Sequence, residues 1–261
     1  MTNQDHKLKD MKAKASIEVN DLTMAYGSFV LMQDLNFAIN KGDIFIIMGG
    51  SGCGKSTLMK MMIGLKAPAK GKISYNGESF WDADKQKRDH LSRRFGISYQ
   101  SGALLSSMTL AQNVALPLEE YTDFSLQDIK EMIALKLSLV GLAGFEDYFP
   151  SEISGGMQKR AALARAIALD PDYLFFDEPS AGLDPVSAKR LDDLILELRD
   201  SMGATVIIVT HELASIFDIG NNSVFLDTTK KTQGAVGNPK ELLANSRDPE
   251  VRQFLTRGKG N

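Results

Sequence analysis

A single cysteine, Cys53, stands in this chain of 261 residues, so no internal disulfide can form and a reducing compartment is the simpler expectation. An excess of positive charge is missing too. The formal net charge is −3, which provides no global basic field for nucleic acid. No apolar run approaches the roughly 18–20 residues that span a bilayer; the longest candidates, "IFIIM" and "TVIIV", are of strand length. The opening "MTNQDHKLKDMKAKAS" is polar and lysine-rich with no apolar stretch behind it. It is read as a flexible polar tail over residues 1–15 and not as a secretory signal. Any membrane involvement must therefore come through a partner. Internal repeats and low-complexity linkers are absent.

What remains is the composition of a folded globule, 43% hydrophobic and 24% charged, with enough apolar residues for a sizeable core. "SIEVNDLTMAYGSFVLMQDLNFAIN" alternates with period two between turn residues, which predicts a small antiparallel sheet. "DIFIIM" is a continuous apolar strand, and the helical spacing of Leu58, Met61, Met62 and Leu65 follows it as core filling. The middle turns helical. Thr109 and Gln112 form a capping-box pattern, Ser125 with Asp128 opens a second helix, and "GGMQKRAALARAIALD" is a third. In the second helix Ile129, Met132, Ile133, Leu137 and Val140 share a face with one polar intruder, Lys136. Strand character returns in "YLFFD", then Asp184-Pro185 caps a helix that buries Leu191, Leu194, Ile195 and Leu198 and ends near Gly203. "ATVIIVTH" is the next buried strand. The expected fold is an α/β nucleotide-binding core with an N-terminal antiparallel β subdomain and an inserted α-helical subdomain at about 101–165.

The chemistry begins at Gly49, where "GGSGCGKS" satisfies G-x-x-x-x-G-K-[ST] with a strand before and a helix after. Gly49, Gly50, Ser51, Gly52, Cys53 and Gly54 would curl so that backbone N–H groups point at phosphate oxygens. Lys55 would reach the β- and γ-phosphates, Ser56 would hold Mg2+, and Thr57 adds a hydroxyl at the helix start. Cys53 reads as a small filler, with a redox switch as the alternative. Asp177, ending the apolar run "YLFFD", is placed to hold Mg2+ through water, and Glu178 beside it is the natural general base. His211 ends the following strand, where imidazole can reach a γ-phosphate. Ser154, Gly155 and Gly156 start another helix and form a second anion site. One nucleotide does not need two cradles in one chain, so two chains arranged head to tail are expected.

Taken together, Tyr26, "GGSGCGKS", Gln100, "ISGGM", "LFFDEP", "SAGLD" and His211 resemble, in order and spacing, the ATP-binding subunit of an ABC transporter, from about residue 16 to about 245. The resemblance implies a P-loop NTPase of the ABC ATPase type that hydrolyses ATP, with one ATPase domain over 16–245 and a C-terminal extension over 246–261. It further implies that Tyr26 stacks on adenine and that Gln100 touches Mg2+ or the attacking water and senses a permease. Asp184 would lie in the loop that couples the two sites of the dimer. Ile153 and Met157 stand where the LSGGQ motif has leucine and glutamine. The second change removes a side-chain amide.

"YQSGALLSSMTLAQNVALPL", "SGGMQKRAALARAIALDP" and "VTHELASIF" are similar to ATPases that power Mce-protein lipid transporters, the maintenance-of-lipid-asymmetry (Mla) phospholipid system among them. This likeness implies a homodimer beneath an integral membrane permease, on the cytoplasmic face of the inner membrane. It also implies a periplasmic Mce-domain partner and a small STAS-domain regulator on the helical insert. The alternatives are an importer of polar amino acids or other small solutes, and a soluble ABC ATPase with no permease. About 100 residues separate the phosphate loop from "SGGM", which leaves no room for the coiled coil of a repair protein, and a translation factor would carry two cassettes. "KQKRDHLSRR" reads as a solvated helix face, with no nucleic-acid partner. The C-terminal "GNPKELLANSRDPEVRQFLTRGKGN" starts as a helix that packs on the second subunit or stays loose.

Overall fold

A computed structural model describes residues 15–100 and 102–256. Of the expected tail only Ala15 falls within that range, and residues 257–261 of the C-terminal extension lie outside it. The chain opens with β1 (Ala15–Tyr26), β2 (Phe29–Asn40), β3 (Ile44–Gly49), α1 (Lys55–Met62), β4 (Lys70–Tyr75), β5 (Glu78–Ser79) and α2 (Lys85–Ser92). Then come β6 (Phe95–Ser98), α3 (Leu110–Tyr121), α4 (Leu126–Leu139) and α5 (Gly155–Ala166). It closes with β7 (Tyr173–Asp177), α6 (Pro185–Met202), β8 (Thr205–Val209), α7 (Leu213–Ile219), β9 (Asn222–Asp227), β10 (Thr232–Val236), α8 (Pro239–Asn245) and α9 (Pro249–Leu255). These elements form two compact units: the described parts of Met1–Arg88 with Gly220–Asn261, and Asp89–Ile219.

In the first unit the expected antiparallel sheet runs in the order β2-β1-β4-β5. Val19 faces Phe37 on one neighbour and Ile73 on the other. The register slips where Asp21 takes a left-handed φ of 48°. Asn36 bridges that point, accepting from Asp21 N at 3.0 Å and donating to Asp21 Oδ1 at 3.0 Å. Every residue of β3 is buried, and the strand runs parallel to β9, with Gly49 opposite Leu226. That two-sided burial explains why "IFIIM" carries no polar alternation. α1 buries Leu58, Met59, Met61 and Met62. Leu65 departs from expectation: the helix ends before it, and it is 63% exposed. The C-terminal segment is not loose along α9, one face of which packs on its own chain. Val251 and Leu255 are buried, and the Phe254 ring lies 5.4 Å from that of Phe225 on β9.

In the second unit β6, β7 and β8 are parallel neighbours, with Phe95 opposite Tyr173 and Asp177 opposite Val209. Residues 102–165 contain only helices, turns and loops, as expected for the insert. Thr109 and Ser125 both close full capping boxes, with Gln112 and Asp128. Asn113 on α3 is fully buried. Lys136, the polar intruder, is buried as well, and its ammonium meets the Asp170 carboxylate at 2.5 Å. α6 starts at its Asp184 cap with Pro185 behind it and stops at Gly203, whose φ is 64°. Its inner face holds Leu191, Ile195 and Leu198 but also Asp192, which the periodicity did not mark, while Leu194 is half-buried.

Candidate functional site

Each half of the expected site belongs to one unit. In the first, β3 delivers the chain into Gly49, whose φ of 149° is open to glycine alone; a Cβ there would stand 2.7 Å from Leu226 O and 2.8 Å from Cys53 Sγ. Gly50, Ser51 and Gly52 carry the turn outward, and Gly54, with φ 97°, opens α1 in the left-handed region. The backbone therefore curls around a helix N-terminus, the arrangement that gathers N–H donors toward an anion. Lys55 folds back over this loop, donating from Nζ to Gly49 O at 3.0 Å and Gly50 O at 3.1 Å. Ser56 follows it on α1, half-buried. Cys53 is fully buried, and burial pushes its thiol above the ordinary range although Lys55 pulls the other way. The filler reading therefore suits the geometry better than the redox one.

Tyr26 ends β1 with half its surface exposed. Its hydroxyl and Thr57 Oγ1 are 3.1 Å apart, which fixes the ring beside the start of α1. The ammonium of Lys66 lies 4.0 Å over the ring centroid, a cation–π contact that sequence reading missed.

In the second unit β7 ends at Asp177, and Glu178 follows with a left-handed φ of 49°. Glu178 N donates to Val209 O at 2.8 Å, so the last backbone link to β8 is kept while the side chain is re-aimed. Backbone in that region is strained for a residue with a Cβ. The outcome is a meeting of two expected residues: Glu178 Oε1 and His211 Nδ1 are 2.8 Å apart. An ionised carboxylate only accepts, so Nδ1 carries a proton, while Nε2 lies 3.6 Å from Glu212 Oε1. The other oxygen, Oε2, is buried with no hydrogen-bond partner among the described residues. A carboxylate at a strand end with one oxygen held and the other without a hydrogen bond has an oxygen left with which to take a proton from water.

Ser154 caps α5, its hydroxyl accepting from Met157 N at 3.3 Å. Gly155 and Gly156 have ordinary helical backbone; a Cβ on the first meets nothing within 4 Å and on the second only Leu183 Cδ2 at 3.9 Å. Nothing in the described chain requires glycine at either position. The side-chain amide absent at Met157 exists one residue later: Gln158 donates to Pro150 O at 2.8 Å. Asp184 is engaged as a helix cap, accepting from Val186 N and Ser187 N at 3.0 Å each, and the hydrogen bond with Ser187 holds its carboxyl low. Gln100 is exposed, and its carbonyl accepts from Lys159.

Among the described residues no cluster of three or more His, Cys, Asp or Glu could hold a metal. The expected donors are instead the Ser56 hydroxyl, the Asp177 carboxylate and the Gln100 amide, all hard oxygens. Ser56 belongs to the first unit and Asp177 and Gln100 to the second, and each offers the kind of oxygen that Mg2+ takes beside its waters and substrate phosphates. Besides Lys66, the residues missed by sequence reading are Lys159 and Arg165, basic positions on an alanine-rich helix. Their interval around Ala162 was the available signal. No described helix is long and apolar enough to cross a membrane.

The ABC transporter family profile matches residues 32–181. Over 240 residues, 92% of the chain, it is 41% identical to "Probable ribonucleotide transport ATP-binding protein mkl" of Mycobacterium tuberculosis, and it spans 66% of that protein's length. Over 239 residues it is 39% identical to the intermembrane phospholipid transport system ATP-binding protein MlaF of Haemophilus influenzae, covering 92% of the chain and 89% of MlaF. The fold is similar to that of the dimeric ABC transporter cassette MJ0796, with a TM-score of 0.76 and 26% identity over 85% of the chain and 98% of MJ0796. MJ0796 has also been seen after hydrolysis, bound to ADP and Pi. By its phosphate loop, its acidic strand end and these likenesses, the chain belongs to the ABC transporter family.

Proposed function

We propose that this chain is the ATP-hydrolysing subunit of an ABC transporter that drives phospholipid transport between inner and outer membranes, maintaining outer-membrane lipid asymmetry. Hydrolysis is supported above all by the 2.8 Å contact between Glu178 and His211, because it orients a half-buried carboxylate at the end of β7. The phosphate loop and the Glu178 edge serve one nucleotide within a single ATPase domain over 16–245. Lys55 leaves the carbonyls of Gly49 and Gly50 for the β- and γ-phosphates, where the loop N–H groups gather. Tyr26 stacks on adenine. Glu178 accepts a proton from the attacking water while His211 holds it through Oε1, and Nε2 donates to the γ-phosphate once it carries a proton of its own. Ser56, Asp177 and Gln100 would hold Mg2+, which neutralises developing charge on the phosphates when bound.

The glycines at 155 and 156 support a second copy of the chain. No atom of this one needs them bare, and a phosphate on a partner's loop does. Asp184 then couples the two sites. The dimer works beneath an integral membrane permease, peripheral on the cytoplasmic face of the inner membrane, with a periplasmic Mce-domain subunit and a STAS-domain regulator. Phospholipid is favoured as cargo by the match to MlaF, which extends over 89% of that protein. The second reading, a ribonucleotide cargo, is favoured by mkl, whose sequence the chain matches over 66% only. Isolation of the complex through a tag on this chain, followed by mass spectrometry of its proteins and lipids, separates the two. Co-purified phospholipid with an Mce-domain protein is the expected result. A solute permease without lipid would overturn the cargo assignment.

A further inference from the structure

The loop from β6 to α3 carries Gln100, and side chains of α5 hold that loop by its backbone. Arg165 donates from Nη1 to Ala103 O at 2.8 Å and from Nη2 to Gly102 O at 3.0 Å. Lys159 donates from Nζ to Gln100 O. Between these two positions Ala162 faces the loop closely: a Cβ on Gly102, whose φ is 72°, would stand 3.2 Å from Ala162 Cβ. Ala103 is left-handed as well, at φ 49°, a conformation that a residue with a Cβ keeps only where its surroundings impose it. Farther along, the buried Asn113 side chain ties down Leu105, Met108 and Thr109 through four hydrogen bonds of 2.8–3.2 Å.

Packing alone would not select these side chains. Arg165 is half-buried, and burial disfavours its charge, yet it has no carboxylate partner among the described ion pairs. An apolar side chain would fill the same place on an alanine-rich helix without the desolvation penalty. Lys159 is partly desolvated too, and the charge it feels is that of Glu178, the residue assigned as base. The strap thus joins three parts of one unit: the helix that begins at Ser154, the Gln100 loop and the neighbourhood of Glu178.

We propose that Arg165 and Lys159 are positioning residues that fasten the Gln100 loop to the helix presenting Ser154, so that Gln100 and Ser154 shift as one body. The inference rests on the reading of Gln100 as a contact to Mg2+ or the attacking water. With a rise of 1.5 Å per residue, a tilt at Ser154 reaches Lys159 about 8 Å away and Arg165 about 17 Å away through unbroken helix. No flexible joint intervenes.

The full chain is compared as wild type, Gln100→Ala, Arg165→Met, Arg165→Lys, Lys159→Met and the Gln100→Ala/Arg165→Met double variant. The readouts are steady-state hydrolysis, Mg2+ titration at fixed ATP, ATP affinity without Mg2+, and amide hydrogen exchange over residues 102–109. Arg165→Met should lower kcat about tenfold, to the level of Gln100→Ala, and raise the Mg2+ concentration for half-maximal rate. Its ATP affinity without Mg2+ should stay within about twofold of wild type, and Arg165→Lys should recover part of the rate. The double variant should be no slower than the slower single one, because both losses pass through one residue. Exchange over 102–109 should quicken in Arg165→Met and stay unchanged elsewhere. Losses that multiply in the double variant, or a folded Arg165→Met with wild-type kcat, overturn the inference. Should Arg165→Met fail to fold, Lys159→Met combined with Gln100→Ala decides by the same criterion. A wild type that neither binds nor hydrolyses ATP overturns the reading of the site instead, and the exchange data then decide the strap alone.

Discussion

His211 Nδ1 and Glu178 Oε1 are 2.8 Å apart, and the carboxylate's second oxygen is buried without a hydrogen-bond partner among the described residues. One oxygen is held while the other remains to act. Glu178→Gln keeps the shape and removes the proposed base, so ATP should still bind while turnover falls by about 10²–10⁴-fold. Single-turnover hydrolysis and retained nucleotide in gel filtration measure both. Wild-type-like turnover would remove Glu178 from the role of base.

Lys55 rests on two loop carbonyls, at 3.0 and 3.1 Å. Lys55→Ala should therefore leave the fold intact while weakening ATP binding by more than about tenfold, since a charge-assisted phosphate contact is lost. Calorimetric titration with ATP and Mg2+ reads the affinity, and unchanged binding contradicts the phosphate-loop assignment.

The pair Lys136–Asp170 is lopsided, with Lys136 at 3% exposure and Asp170 at 64%. Lys136→Met should be neutral or stabilising, within about 1 kcal/mol, because a buried charge is replaced by an apolar chain of similar length. Asp170→Asn leaves the ammonium buried and uncompensated and should lose about 2 kcal/mol. Urea unfolding distinguishes them, and the reverse order of stabilities would discredit the pair as drawn.

Asp192 is the buried acid on α6, and Ser215 Oγ donates to its Oδ2 at 2.8 Å. Burial pushes its carboxyl up to about 6 from an ordinary 3.8. The folded state then holds a proton that the unfolded chain has released, so stability falls as pH rises from about 4 to 6 and is level above. Asp192→Asn should raise the melting temperature at pH 8 by an amount on the order of 1–2 kcal/mol in stability, after discounting for solvent screening, and add nothing near pH 4. A gain of equal size at both pH values would reject the charge as its cause.

Cys53 is fully buried with its thiol pushed up by burial. A thiol reagent such as DTNB should therefore label the native chain far more slowly than the urea-unfolded one. Rapid labelling of native protein would revive the redox alternative.

Local patterns carried most of the fold into view. The unbroken apolar run of β3, the boxes at Thr109 and Ser125 and the Asp184-Pro185 start all depend on neighbours within a few positions, and all occur as expected. Leu65 misled because the helix ends at Met62, after which helical spacing has no meaning. Asp192 and Lys136 were buried by partners 23 and 34 positions away, Ser215 and Asp170, which no periodicity encodes. In the site, motif order named the residues but not their contacts. The pairing of Glu178 with His211 needs two adjacent parallel strands to end level, a property of sheet register. The C-terminal helix escaped for a similar reason, since Phe254 finds Phe225 only once β9 is in place.

The two glycines after Ser154 open a helix with nothing pressing on them. Alanine there would strengthen the isolated helix by at most the roughly 0.5–1 kcal/mol typical of a helix interior, through reduced backbone freedom in the unfolded chain. Any redesign judged by the lone subunit's melting point would thus erase both, and would score the erasure as an improvement. Under the proposed dimer, these two positions hold the chain below its own stability optimum for the sake of an encounter that a single copy never makes.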